Sequence, residues 1–186
     1  VLELGVGPLP CSIKYGVASF TTHATLERLS EPDLDLVAQA LSLDPAAIST
    51  THHRPTQATL GLPFVISELV DADALAACAP NVAAMKDGAK TYPAGMDFAQ
   101  FVYVRDGQTV KARMFAPLDN IPEDPATGSA CATLAALLHD IGLKGTLEIT
   151  QGVEMGRPSF ITAQASGGAV KISGQAVQTM KGTFLA

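Results

Sequence analysis

Glu123-Asp124-Pro125-Ala126-Thr127-Gly128-Ser129-Ala130 runs directly into Cys131-Ala132-Thr133-Leu134-Ala135-Ala136-Leu137-Leu138. Proline at 125 pushes Asp124 toward extended geometry, so Asp124 cannot belong to a helix's first turn. Thr127 or Gly128 then stands at the cap of a helix over 128–141, which Gly142 terminates. Small residues surround this helix on every side, Leu134, Leu137 and Leu138 supply its bulk, and charge is absent until Asp140. Such a helix has no solvent face and is expected inside a curved sheet that its small side chains allow to approach closely. Its N-terminus would be buried as well, and buried free N–H groups need acceptors. The donors near Gly128, Ser129 and Ala130, with the positive end of the helix dipole, suit a carboxylate or phosphate. Gly128 offers no obstructing side chain, the Ser129 hydroxyl adds a donor, and Asp124 stands beside the site. The plainer alternative is that Asp124 or Thr127 caps the helix while water meets the remaining donors.

Working outward, the pattern is strands on both sides of one central helix. Val1 to Phe20 reads as a strand, a break and a second strand from Ser12 to Phe20. Ser30 as cap and Pro32 in the first turn open a helix ending near Leu43. A β-rich stretch from Ile48 to Phe64 turns at Leu60-Gly61-Leu62-Pro63. Short helices follow over Asp71–Ala79 and Asn81–Lys86. Phe98 to Arg105 and Gln108 to Phe115 flank Asp106-Gly107, a hairpin signal. Leu147 to Thr150, Phe160 to Ala165, Val170 to Ser173 and Ala176 to Lys181 complete the strands. Hairpin-length connections imply an α+β fold with a largely antiparallel sheet.

The 186 residues are 47% hydrophobic, enough for a real core, and carry a net charge of −6. No Lys/Arg cluster offers a surface to nucleic acid or an anionic membrane, and no apolar run approaches the ~20 residues that span a bilayer. Cys11, Cys78 and Cys131 show no paired spacing, as expected of reduced thiols in a cytoplasmic protein.

The octapeptide 123–130 resembles the second-half signature of the PhzF-like isomerases of phenazine biosynthesis. Three more segments agree in order and spacing: Arg113-Met114-Phe115-Ala116-Pro117, Gln151-Gly152-Val153-Glu154-Met155-Gly156-Arg157-Pro158-Ser159, and Val170 to Val177. The resemblance implies a diaminopimelate-epimerase-like fold: two similar halves, each a curved sheet around a central helix, whose helix N-termini converge on one substrate. It further implies cofactor-independent isomerisation by proton transfer on a small anionic substrate, and a homodimer. Asp124 matches the family position that orients or polarises the substrate, while Thr127, Gly128 and Ser129 fall at the substrate-binding helix entrance.

The chain also departs from that pattern. The family's early proton-shuttling glutamate and its Gly-His helix entrance have no counterpart. Glu27, Glu31 and Glu68 lie in other contexts, and His23 follows no glycine. Residues 1–20 are therefore expected to end a first half, 21–175 to form the second domain, and 176–186 to be a terminal strand packing back on the first half. A missing N-terminal half, upstream or on a separate chain, would supply the general acid/base, and the isolated residues would be inactive. A non-catalytic binding module and an amino-acid racemase or epimerase are the competing readings. Cys131, one turn into the helix, is read as buried packing. His52-His53 lack a third ligand and are read as partly exposed, so no metal is expected. His139 is assigned to the helix dipole. Arg157 is expected to pair with Glu154 or Glu148.

Overall fold

The computed structural model describes residues 2–4 and 7–183. Val1, Gly5, Val6 and residues 184–186, parts of the two terminal segments expected above, lie outside the described residues. In chain order the elements are β1 (Leu2–Leu4), β2 (Gly7–Leu9), β3 (Cys11–Lys14), β4 (Val17–Thr22), β5 (Glu27–Ser30), α1 (Leu34–Ala40), β6 (Ile48–Ser49), β7 (Thr56–Thr59), β8 (Pro63–Leu69), α2 (Ala72–Ala77), α3 (Val82–Thr91), β9 (Gln100–Asp106), β10 (Thr109–Ala116), β11 (Ile121–Asp124), α4 (Gly128–Asp140), β12 (Thr146–Gln151), β13 (Ser159–Ser166) and β14 (Ala169–Gln175).

One 12-stranded sheet dominates, with the spatial order β3-β4-β14-β13-β12-β10-β9-β8-β7-β5, β11 added on β10 and β6 on β8. Strands β1 and β2 form a separate hairpin. Pairing is antiparallel except at β10–β12 and β8–β9. Both parallel pairs are joined by crossovers that contain helices, α4 in the first and α2–α3 in the second, because a parallel neighbour cannot be reached by a tight turn.

Side chains of alternating parity point to opposite faces. From β8 and β9, Phe64, Ile66, Phe101 and Tyr103 enter the core around α4. Val65, Leu69 and Val102 enter the core that holds Val37, Ala40, Leu75 and Met85 of α1, α2 and α3. Strand β8 is therefore buried along its whole length and reads Pro-Phe-Val-Ile-Ser-Glu-Leu with little alternation. Helix α4 contacts β7, β8, β12, β13 and β14, strands far apart in the sheet, so the sheet curls around it. Ala130 to Ala135, Leu137 and Leu138 of α4 are all buried, and each of the three leucines contributes about 1.5–3 kcal/mol through burial. The helix ends in a Schellman motif: Leu143 N–H donates to Leu138 C=O at 2.9 Å and Gly142 N–H to His139 C=O at 3.1 Å, with Gly142 at φ +89°.

Several local expectations are corrected. Helix α1 is capped by Asp33, whose carboxylate accepts from Asp35 and Leu36 N–H, whereas Ser30 ends β5 and donates to Gln57. Asp33 outcompetes Ser30 because it stands immediately before the first residue with helical geometry. Ser12–Phe20 is no single strand: Tyr15-Gly16, both at positive φ, fold it into the β3–β4 hairpin. Ala176–Lys181 forms no strand; only Ala176 N–H reaches back, to Gly16 C=O at 2.8 Å. Helix α3 runs past Lys86 to Thr91, with Gly88 seated where a Cβ would collide with the Phe98 ring.

Candidate active site

Strand β11 delivers Asp124, Pro125 ends it, and α4 begins four residues after Asp124. The intervening loop is held by a buried amide. Gln151, the last residue of β12, is fully buried. Its Oε1 accepts from Thr127 N–H at 3.1 Å, and its Nε2 donates to Asp124 C=O at 2.6 Å and to Thr127 Oγ1 at 2.8 Å. Thr127 Oγ1 lies 2.7 Å from Asp124 Oδ2, and Ala126 N–H donates to Asp124 Oδ1 at 3.3 Å. Gly152 follows Gln151 at φ +81°, where a Cβ would meet Arg157 O at 2.5 Å and Pro125 Cβ at 2.9 Å. Only glycine lets the β12 end approach the Asp-Pro loop this closely.

A second brace lies on the other side of Asp124. Arg113 of β10 is 7% exposed. Its Nε and Nη2 donate to the two carboxylate oxygens of Glu123 at 2.8 and 3.0 Å, and its Nη1 donates to the C=O groups of Leu75, Ala76 and Cys78 at the C-terminal end of α2. Glu154 stands 3.9 Å away, and the guanidinium lies 4.8 Å from the Phe115 ring centroid. Burial alone would lower the Arg113 pKa, but the Glu123 hydrogen bonds and charge outweigh it and hold it above its usual value. The pair ties β11 to the α2 end of the molecule.

Thr127 occupies the cap position of α4, yet its side chain caps no helix N–H. Its hydroxyl is taken by Asp124 and Gln151, and the residue is buried. Among the described residues no protein acceptor meets the N–H groups of Gly128, Ser129 or Ala130; the first helical bond is Cys131 N–H to Thr127 C=O at 3.0 Å. Asp124, Gly128 and Ser129 are half-buried. Ala126 and Gly128 line a cleft of about 310 Å³ with Pro158, Ser159, Ile172 and Gln175. Asp124 and Ser129 are not among its lining residues. A Cβ on Gly128 would meet the Phe20 ring at 3.3 Å, so this glycine also lets α4 seat against β4. Larger hollows of about 370 and 510 Å³ lie on the sheet's outer face and beside His52. Neither touches the helix entrance.

The remaining candidates fall elsewhere. Cys131 is fully buried, and burial pushes its thiol well above the usual range, so it offers no thiolate. Burial likewise pushes the Cys78 thiol up to about 12. His53 is buried rather than partly exposed: its Nδ1 is 2.7 Å from Arg54 C=O and its Nε2 2.8 Å from Tyr103 Oη. His52 pairs with Glu68 at 2.7 Å, and no three metal-ligating side chains cluster among the described residues. Arg157 is exposed and makes no ion pair among the described residues; Arg113 instead takes the partner expected for it, Glu154. Neither Gln151 nor Arg113 had been singled out from residue chemistry. The available signals were a glutamine on the inward parity of Leu147 and Ile149, closing an alternating strand before glycine, and an arginine followed directly by the apolar run Met114-Phe115-Ala116.

The phenazine biosynthesis-like protein family matches residues 10–182. An uncharacterized isomerase of Mesorhizobium japonicum is 31% identical over 98% of this chain and 66% of that protein. The trans-2,3-dihydro-3-hydroxyanthranilate isomerase of Pseudomonas fluorescens is 34% identical over 81% of this chain and 52% of its own. Among solved structures, a predicted epimerase from Pseudomonas aeruginosa superposes with TM-score 0.70 at 27% identity, covering 90% of this chain and 58% of that one. A PhzF-family protein of Bacillus anthracis shares the fold, with TM-score 0.71 at 14% identity over 92% of this chain and 63% of its own. The chain thus spans about half to two thirds of the proteins it matches. With the expected α+β curved sheet around a central helix present and the match running through nearly every described residue, the chain belongs to the phenazine biosynthesis-like (PhzF) family.

Proposed function

We propose that these residues form the substrate-binding second half of a cofactor-independent isomerase, which moves a proton and a double bond within a small carboxylate-bearing metabolite. The observation that carries this reading is the α4 entrance: three N–H groups with no protein acceptor among the described residues stand beside a carboxylate whose loop is braced from two sides. The N–H groups and helix dipole receive the substrate's anionic group. Asp124 orients or polarises the substrate, and Ser129 adds a hydroxyl. Relatives named as trans-2,3-dihydro-3-hydroxyanthranilate isomerases support this reaction class.

The general acid/base is assigned to a half outside this chain, with 1–20 as the end of that half and 176–186 packing toward it. The only buried glutamate among the described residues, Glu68, is paired with His52. Homodimerisation and a cytoplasmic location belong to the same proposal. Racemase chemistry through Cys131 is disfavoured by the thiol's burial.

The test is deuterium incorporation. The complete gene product, given trans-2,3-dihydro-3-hydroxyanthranilate in D₂O, is expected to yield product labelled at one carbon, with activity indifferent to thiol alkylation. Unlabelled product, or loss of activity on alkylation, would overturn the proposal.

A further inference from the structure

The buried contacts around Asp124 fix more than its location; they fix the direction of every proton in the chain of hydrogen bonds. Gln151 Oε1 faces the Thr127 backbone N–H, which can only donate. Its other terminus faces the Asp124 backbone carbonyl, which can only accept, so that terminus must be the NH₂ group. The amide orientation thus follows from its neighbours, not from choice. The second Nε2 proton goes to Thr127 Oγ1. Having accepted there, the threonine hydroxyl points its own proton at Asp124 Oδ2, 2.7 Å away. Oδ2 therefore takes the short hydroxyl bond from the protein. Oδ1 receives only the longer 3.3 Å contact from Ala126 N–H and is the less engaged of the two acceptors.

We propose that Gln151 and Thr127 are positioning residues that dedicate Asp124 Oδ2 to the protein and leave Oδ1 as the oxygen presented to the substrate. This assigns Thr127 to Asp124 rather than to direct substrate contact. It rests on the reading that Asp124 faces the substrate. The relay passes through one fully buried amide, so a shift at the end of β12 is transmitted to the carboxylate with no slack for water to absorb.

The experiment compares Asp124→Asn, Thr127→Val, Thr127→Ala and Thr127→Ser in the complete gene product, with trans-2,3-dihydro-3-hydroxyanthranilate as the probe. Thr127→Val keeps the shape and removes the relay. It is expected to lower kcat by about 10²-fold, as a misplaced catalytic group does, while KM moves by less than about threefold. Thr127→Ser is expected to restore kcat to within about threefold of wild type. Thr127→Ala is the second variant should valine prevent folding, with the same kcat loss expected. A crystal structure of whichever variant folds is expected to show the Asp124 carboxylate turned from its present rotamer, with Gln151 and α4 unmoved; this arm needs no turnover. An unmoved carboxylate, unchanged kcat in the valine and alanine variants, or equal loss in the serine variant overturns the relay. Normal turnover in Asp124→Asn instead overturns the functional reading beneath it.

Discussion

Two of the buried polar clusters on this sheet differ in what they leave unpaired among the described residues. At the end of β8 and β9, His53 bridges Arg54 C=O and Tyr103 Oη, and Glu68 takes His52, so each group is spent on another. At the β11–α4 junction, Gln151 and Arg113 are equally committed, but they brace a loop whose Asp124 Oδ1 takes only one long contact and which leads into three helix N–H groups with no protein acceptor among the described residues. Burying polar groups costs free energy unless they are paired. A closed cluster merely recovers that cost. The proposed site rests on the second cluster's surplus of donors and acceptors.

The sharpest way to break this contrast is Asp124→Asn. Turnover is expected to fall by about 10²–10³-fold, the range for removing a group that polarises the substrate, with only a small drop in melting temperature, because the amide oxygen can keep the Thr127 hydroxyl bond and only the long Ala126 contact is lost. Unchanged turnover with a lowered melting temperature would make the two clusters alike. Next comes Arg113→Met, which leaves the partly buried Glu123 carboxylate and the carbonyls at the end of α2 without their partner. Removing one member of a fully buried pair costs roughly 3–5 kcal/mol, and urea unfolding should show a loss approaching that range; wild-type stability would mean that Arg113 is no brace. Gly152→Ala is expected to cost about 1–2 kcal/mol for positive φ alone. Because it also pushes Pro125 and thereby Asp124, it should lower turnover, whereas an equivalent insult at Gly107, in the open β9–β10 turn, should not.

The smallest effect belongs to the closed cluster. Burial, the largest influence, holds the His53 imidazole below its ordinary value of 6.5, against the Arg54 carbonyl and Glu68 charge that favour protonation. The folded state then binds fewer protons than the unfolded one, so this contribution to stability is whole above 6.5 and is lost as pH falls through the folded-state value. His53→Gln should flatten the decline in melting temperature between about pH 7.5 and 5 without affecting turnover. A decline as steep as wild type would contradict that origin.

Much of this was legible in the residues. The octapeptide placed Asp124 before a proline stop and the helix entrance at 128, and the absence of charge on α4 foretold its enclosure. What holds the Asp124 loop in place was not legible, because Gln151 reaches Asp124 across 27 positions of sequence and Arg113 reaches its neighbour Glu123 across 10, through strand pairings no local pattern specifies. The β3–β4 hairpin was missed since Tyr15-Gly16 is a weak turn signal inside an apolar stretch. Arg157 misled because sequence proximity to Glu154 suggested a pair, while Gly156 at φ +68° and Pro158 turn the chain outward there.

The account stands or falls on the surplus donors at α4. A crystal structure of the complete gene product with o-aminobenzoate, a non-reacting aromatic carboxylate, tests it most directly. The predicted result is a carboxylate oxygen about 2.7–3.2 Å from the N–H groups of Gly128 or Ser129, with Asp124 Oδ1 facing the amino-bearing edge of the ring. Those N–H groups taken up by protein atoms, with the ligand bound elsewhere, would contradict it.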